Sequence, residues 1–119
     1  MQQLPKEGLS RIREARLQGS LSAKETSKVH EIKMTAGKSY MIDMESIDFD
    51  PFLKLEDAQG KLLAENNDIS PNNHNSRILF IPPQDGTYRI IATSFQQQGQ
   101  GQYEIILRTF VGKEKQPEK

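Results

Sequence analysis

The feature that most constrains this chain is a period-two alternation of residue types, which recurs in short runs along most of its length. In one run, His30, Ile32 and Met34 fall on one face, and Glu31 and Lys33 fall on the other. Side chains of a β-strand point alternately to its two faces, so such runs predict half-buried strands. Turn residues separate the runs. Strands are predicted over residues 15–22, 28–34, 38–45, 52–56, 61–65, 76–81, 87–94 and 102–110.

About eight short, evenly spaced strands are typical of an all-β fold, here an antiparallel β-sandwich of the jelly-roll or Greek-key kind. A parallel α/β fold would need crossover helices, for which the short connections leave no room. The last two runs carry apolar residues on both faces, as in Ile90-Ile91 and Ile105-Ile106, so we expect these two strands to be central or to be covered on both sides. The predicted core consists of Ile32, Met34, Tyr40, Ile42, Leu53, Leu55, Leu63, Ile78, Phe80, Tyr88, Ile90, Tyr103, Ile105 and Leu107.

The length of 119 residues indicates one domain. We expect the β-sandwich domain over residues 15–111, a lead-in or linker over residues 1–14, and a flexible tail over residues 112–119. Within residues 4–17, the apolar positions Leu9, Ile12 and Leu17 predict an irregular or partly helical segment, and Gly8 argues against a long helix.

Composition narrows the classes of function. Sixteen basic and sixteen acidic residues cancel, so no strong net field draws the chain to nucleic acid or acidic lipid. The absence of cysteine excludes disulfides, thiolate zinc sites and thiol catalysis. No apolar run approaches the roughly 20 residues of a membrane span. The first residues also lack the apolar segment of a signal peptide.

Acidic residues concentrate in residues 43–68, which carry eight acids against two lysines. Five residues of this stretch are candidate metal ligands: Asp48, Asp50, Asp57, Asn67 and Asp68. Calcium takes about six to eight oxygen ligands, and residues at alternate positions near a strand end can point the same way. The alternative is that these side chains bond nearby backbone amides in turns and at strand entries. The sequence therefore leaves calcium as one interpretation and predicts no other cofactor.

The remaining candidate sites have weaker patterns. His30 and His74 lack the spacing of a zinc motif, so both are interpreted as structural. Ser76 and Ser94 lie outside any nucleophile-elbow motif, and we expect no enzyme. We interpret Phe95 and Phe110 as exposed interaction or inter-domain contacts. Tyr40, Tyr88 and Tyr103 are expected to be core aromatics.

The order of four motifs is more specific than any one of them. The chain reads AGKSYMIDM, then DFDPFLKLEDAQGKLLAENND, then NSRILFIPPQDGTYRIIATS, and finally GQGQYEIILR. Over residues 17–109 this order resembles the bacterial pre-peptidase C-terminal domain family, which is distantly related to clostridial collagen-binding domains. The resemblance implies a jelly-roll sandwich and a non-catalytic accessory role in a secreted or cell-surface protein. Some of the collagen-binding relatives hold calcium through an acidic segment before the sandwich. Residues 16–31 carry only Glu25 and Glu31, so that site is not expected here.

From the resemblance we expect an accessory module of a larger exported bacterial protein that binds a protein or polysaccharide partner. The alternative is a structural spacer, or a domain that assists folding or secretion of a neighbouring peptidase or other catalytic domain. A small hydrolase is a third interpretation, which the missing motifs disfavour. Neither a nucleic-acid partner nor a membrane span is expected.

Overall fold

The computed structural model describes residues 12–110, which form two four-stranded antiparallel sheets packed face to face. The strands are β1 (Ile12–Leu21), β2 (Ser27–Met34), β3 (Ser39–Glu45), β4 (Pro51–Glu56), β5 (Leu62–Asn66), β6 (Ser76–Phe80), β7 (Gly86–Ser94) and β8 (Gly101–Phe110). A short 3-10 turn, Phe95–Gln97, follows β7. All eight predicted strands are present, each with ends within a few residues of the prediction.

The strand order is β1-β8-β3-β6 in the first sheet and β2-β7-β4-β5 in the second. Apart from the β4–β5 hairpin, successive strands cross between the sheets, as in a jelly roll. The predicted all-β antiparallel sandwich is therefore confirmed. No helix among the described residues is long and apolar enough to cross a membrane.

The two strands predicted to be central are central. β8 lies between β1 and β3, and β7 lies between β2 and β4. Ile106 on the outer face of β8 is 2% exposed, although it points away from the interior of the sandwich. Side chains of neighbouring strands therefore cover this strand on both faces, which explains its continuous apolar run.

The core follows the predicted alternation with one error. Leu63 is exposed, and Ala64 packs against the core in its place. Leu55 pairs with Ala64 while Glu56 pairs with Leu62, so Leu63 is the extra residue of a β-bulge. Ile32 and Phe80 are half-buried against the core. The buried residues include eleven of the predicted core residues and add Leu21, Met44, Ile91, Ala92 and Ile106.

The start of the sandwich needs a correction. The predicted irregular or partly helical segment over residues 4–17 is wrong for residues 12–17, which lie in β1. β1 pairs along its whole length with β8, from Ile12 opposite Phe110 to Leu21 opposite Gly101. The pairing partner is distant in sequence, so local spacing could not reveal it. Residues 1–11 and the predicted tail over 112–119 lie outside the described residues.

Candidate functional site

The candidate site lies at one end of the sandwich, where the loop before β4 meets the loop between β5 and β6. Asp50 precedes β4, and Asp68 and His74 belong to the β5–β6 loop. One ligand atom from each of these three side chains lies within 4.8 Å of the other two. His74 Nδ1 is 3.2 Å from Asp68 Oδ1. We call these three residues the Asp-Asp-His cluster.

Backbone hydrogen bonds within the loop place Asp68 beside His74. The amide of Ile69 donates to the carbonyls of Asn73 and Asn75, at 3.0 and 2.7 Å. Ser70 and Asn73 also exchange backbone hydrogen bonds. These bonds bring the residue after Asp68 against the residues on either side of His74. The two side chains are thus held together by the loop and not only by their own contact.

A buried serine fixes this loop to the strand that follows Asp50. Ser76 Oγ lies 2.8 Å from the carbonyl oxygens of Pro51 and Asn67, and the residue is fully buried. Pro51 adjoins Asp50, and Asn67 adjoins Asp68. The single hydroxyl therefore connects the backbone segments that carry the two carboxylates. A side chain in this position cannot act as an exposed nucleophile.

Two oxygen atoms at this end have no hydrogen-bond partner among the described residues. They are Asp50 Oδ1 and Asn67 Oδ1, and both are buried from solvent. Burial, and then the negative charge of Asp68, raise the pKa of Asp50, while His74 lowers it. Within residues 12–110 no lysine or arginine forms an ion pair with either aspartate of the cluster. Of the two, Asp50 Oδ1 belongs to the cluster, where a cation would satisfy it.

The structure separates the five predicted ligands into two groups. Asp50 and Asp68 belong to the cluster, and Asn67 adjoins it. Asp57 Oδ1 instead accepts the amides of Gln59 and Lys61, both at 2.9 Å, and closes the β4–β5 turn. Asp48 Oδ2 accepts the Gln102 amide at 2.8 Å.

His74 was not among the predicted ligands. The sequence analysis missed it as a ligand, because Asp50 and Asp68 do not precede it at the spacing of a metal-binding motif.

The other histidine has a structural position. His30 Nε2 lies 2.7 Å from the Tyr103 hydroxyl, and the rings meet edge to face. His30 is on β2 and Tyr103 on β8, so the pair joins the two sheets. Burial, and then the charge of Lys28, lower the pKa of His30. Burial raises the pKa of Tyr103 to about 12, with a further contribution from Glu25.

Buried and exposed charges form a ladder on the outer face of the first sheet. Asp43, only 2% exposed, accepts two hydrogen bonds from Arg77 at 2.7 and 3.0 Å and one from Arg108 at 3.0 Å. Arg108 continues to Glu14, which also accepts from Arg16. The charges alternate across four adjacent strands and cancel locally. This ladder covers the outer side of β8, and its charges are engaged with one another.

Next to the ladder, the same face carries a shallow apolar groove of about 630 Å³. Leu79 and Ile81 are 67% and 60% exposed at its rim. Met41 and Leu79 are cross-strand neighbours on the outward face, and Phe110 closes the groove from β8. The complete lining is Ser39, Tyr40, Met41, Leu79, Phe80, Ile81 and Phe110. We call this feature the β6 groove.

The two predicted contact phenylalanines lie in different regions. Phe110 lines the β6 groove. Phe95 lies in the 3-10 turn after β7, is 43% exposed, and its amide donates to the Asp50 carbonyl at 2.9 Å. The structure therefore does not combine them into one surface.

Ser94 and Ser76 show no catalytic arrangement. Ser94 Oγ accepts the Gly99 amide at 2.7 Å and the residue is 2% exposed. Neither serine bonds a histidine in the described part of the chain.

Comparisons with known proteins identify the architecture. No protein-family model matches the sequence, and no curated protein matches it. The fold is similar to the crystal structure of the pre-peptidase C-terminal domain of collagenase from Bacillus anthracis, with a TM-score of 0.62 and 14% sequence identity. That likeness covers 78% of this chain and 87% of the other. It confirms the fold that the sequence resemblance implied.

A second solved structure is the periplasmic inhibitor of g-type lysozyme, PliG, from Aeromonas hydrophila. Its TM-score is 0.49 and its sequence identity is 13%, and the match covers 91% of this chain and 90% of the other.

Proposed function

We propose that this chain is a non-catalytic accessory module of a larger exported bacterial protein, and that it binds a protein partner through the β6 groove. The sequence resemblance and the fold shared with the pre-peptidase C-terminal domain of a collagenase support the first part. The observation that carries the second part is an apolar groove beside an edge strand with a single charged residue.

The four sheet edges differ in how they are protected. β1 carries Arg13, Glu14 and Arg16, and β2 carries Lys28, Glu31 and Lys33. The β5 edge is interrupted by the bulge at Leu63. Charges and bulges are the usual means by which edge strands avoid pairing with other chains.

β6 has less protection than the other three edges. Its only charge is Arg77, which is engaged with Asp43, and Leu79 is exposed beside it. An extended segment of a partner can pair with the β6 backbone and place an apolar side chain in the groove. A polysaccharide would need hydrogen-bonding side chains along its hydroxyls, and the groove lining supplies few of them. A protein segment is therefore the occupant that the lining favours.

The groove is tested with a phage-displayed library of random peptides selected on the isolated domain, beside sedimentation with insoluble chitin and cellulose. We expect extended apolar peptides to be selected and to perturb backbone amide resonances of β6. Leu79→Ser and Ile81→Ser should each abolish this binding. Leu62→Ser is the matched control, because Leu62 is 48% exposed on the other sheet.

Four outcomes would overturn the proposal. The selected peptides could map to another surface, or bind the Leu79 and Ile81 variants as well as the parent. The domain could be retained on polysaccharide alone, which would assign a carbohydrate partner. Binding to none of these materials would favour the structural-spacer interpretation.

The full-length gene product tests the accessory role, since it should contain an export signal and further domains.

A further inference from the structure

The geometry points to a second site, at the Asp-Asp-His cluster: we propose that Asp50, Asp68 and His74 bind a divalent cation of the zinc class. This inference goes beyond the binding module and does not depend on the β6 groove. The cluster and the groove are formed by different residues.

The ligand set distinguishes between cations. Calcium prefers a shell made only of oxygen ligands, whereas zinc and related ions accept imidazole nitrogen together with carboxylate oxygen. The cluster offers one imidazole and two carboxylates. Two of the five residues predicted as calcium ligands, Asp48 and Asp57, are already bonded to backbone amides. The remaining set is small and contains nitrogen, which favours zinc over calcium.

The three ligand atoms would need to move only slightly closer together to coordinate one ion. The three ligand atoms lie within 4.8 Å of one another. Donors around a tetrahedral zinc ion with bonds near 2.1 Å are about 3.4 Å apart. Rotation of the exposed His74 side chain, which is 65% accessible, and of Asp68, which is 37% accessible, can supply this contraction. The backbone bonds of the loop already fix the relative positions of the two residues.

Two further observations at this end of the sandwich point to a cation. The oxygens Asp50 Oδ1 and Asn67 Oδ1 are buried without a hydrogen-bond partner among the described residues. Two carboxylates also approach each other with no lysine or arginine paired to either in the described part of the chain. The buried, unpaired Asp50 oxygen and the two facing carboxylates both cost free energy, and a cation bound between the carboxylates would lower both costs. With three protein ligands, a zinc-class ion would keep at least one position open to solvent or a partner.

The test uses the untagged domain, because a polyhistidine tag would itself bind the ion. Zn²⁺, Co²⁺ and Ca²⁺ are titrated separately by calorimetry and thermal unfolding, and the visible spectrum of Co²⁺ reports its coordination. We expect one Zn²⁺ per chain, a rise in melting temperature with Zn²⁺, and no such rise with Ca²⁺. His74→Ala and Asp50→Asn should each weaken Zn²⁺ binding by at least about tenfold.

Glu65→Gln is the matched control, since it removes an exposed carboxylate on β5 near the same loop. It should bind Zn²⁺ as the parent does. His74 is exposed in a loop, so the His74→Ala variant should still fold, as its circular dichroism spectrum would show. The proposal fails if the parent binds no stoichiometric Zn²⁺, or if His74→Ala binds it as tightly. Stabilisation by Ca²⁺ and not by Zn²⁺ would replace it with an oxygen-only site.

Discussion

At the scale of single residues, one glycine permits the contact that joins the two sheets. Gly19 on β1 lies directly opposite Tyr103 on β8. A methyl group added at Gly19 would lie 2.5 Å from Tyr103 Cζ, so the phenol ring occupies the space that a side chain would need. From there its hydroxyl reaches His30 on the other sheet. The Tyr103 ring can therefore occupy this position only because Gly19 has no side chain.

Gly19→Ala should destabilise the domain by about 1–3 kcal/mol, because the buried ring must move and the His30 contact is lost. Urea unfolding followed by circular dichroism measures the change. Gly86→Ala is the control, since Gly86 also lies in a strand but has nothing within 4 Å of the added methyl group. Equal effects of the two substitutions would contradict this account of Gly19.

At the scale of elements, the strands could be predicted and the pairings could not. Alternation is a local property, so β2, β3, β4 and β7 follow directly from the order of residue types. Leu63 shows the limit of such local prediction. The bulge that exposes it depends on how β5 pairs with Leu55 and its neighbours on β4. His74 shows the same limit for the site. Its neighbour Asp50 precedes it by 24 residues, and only the packing of two loops brings them together.

Because of the bulge, we expect truncation of two leucines on paired strands to lower the free energy of unfolding by different amounts. Leu55→Ala should cost roughly 2–5 kcal/mol, because Leu55 is fully buried and its removal leaves a cavity. Leu63→Ala should cost less than about 1 kcal/mol, since the side chain is already exposed. Chemical unfolding of both variants measures the difference in the free energy of unfolding, and this free energy should fall with denaturant concentration at the same slope in both. A large loss for Leu63→Ala would show that Leu63 packs inward and that the bulge is misplaced.

At the scale of the whole molecule, the two sheets depend on each other for burial. Each is hydrophobic on its inner face, and residues from both, such as Ile42 and Ile90, are completely buried. Most of this interior is apolar. The hydrogen bond between His30 and Tyr103 runs from one sheet to the other, and His30 is a titratable group in this contact.

The stability of the domain should fall as the pH is lowered from about 7.5 to about 5. The pKa of His30 is lower in the folded chain than the roughly 6.5 of an unfolded one, so the unfolded state binds more protons in this range. Stability from this residue is complete above the unfolded pKa and is lost as the pH falls through the folded pKa. Denaturant midpoints measured across this pH range give the slope of stability against pH.

His30→Gln should flatten that slope, because glutamine keeps a polar group beside Tyr103 and does not titrate. If His30→Gln keeps the slope of the parent, other groups account for the loss of stability in acid, and the contact between the sheets has no part in it.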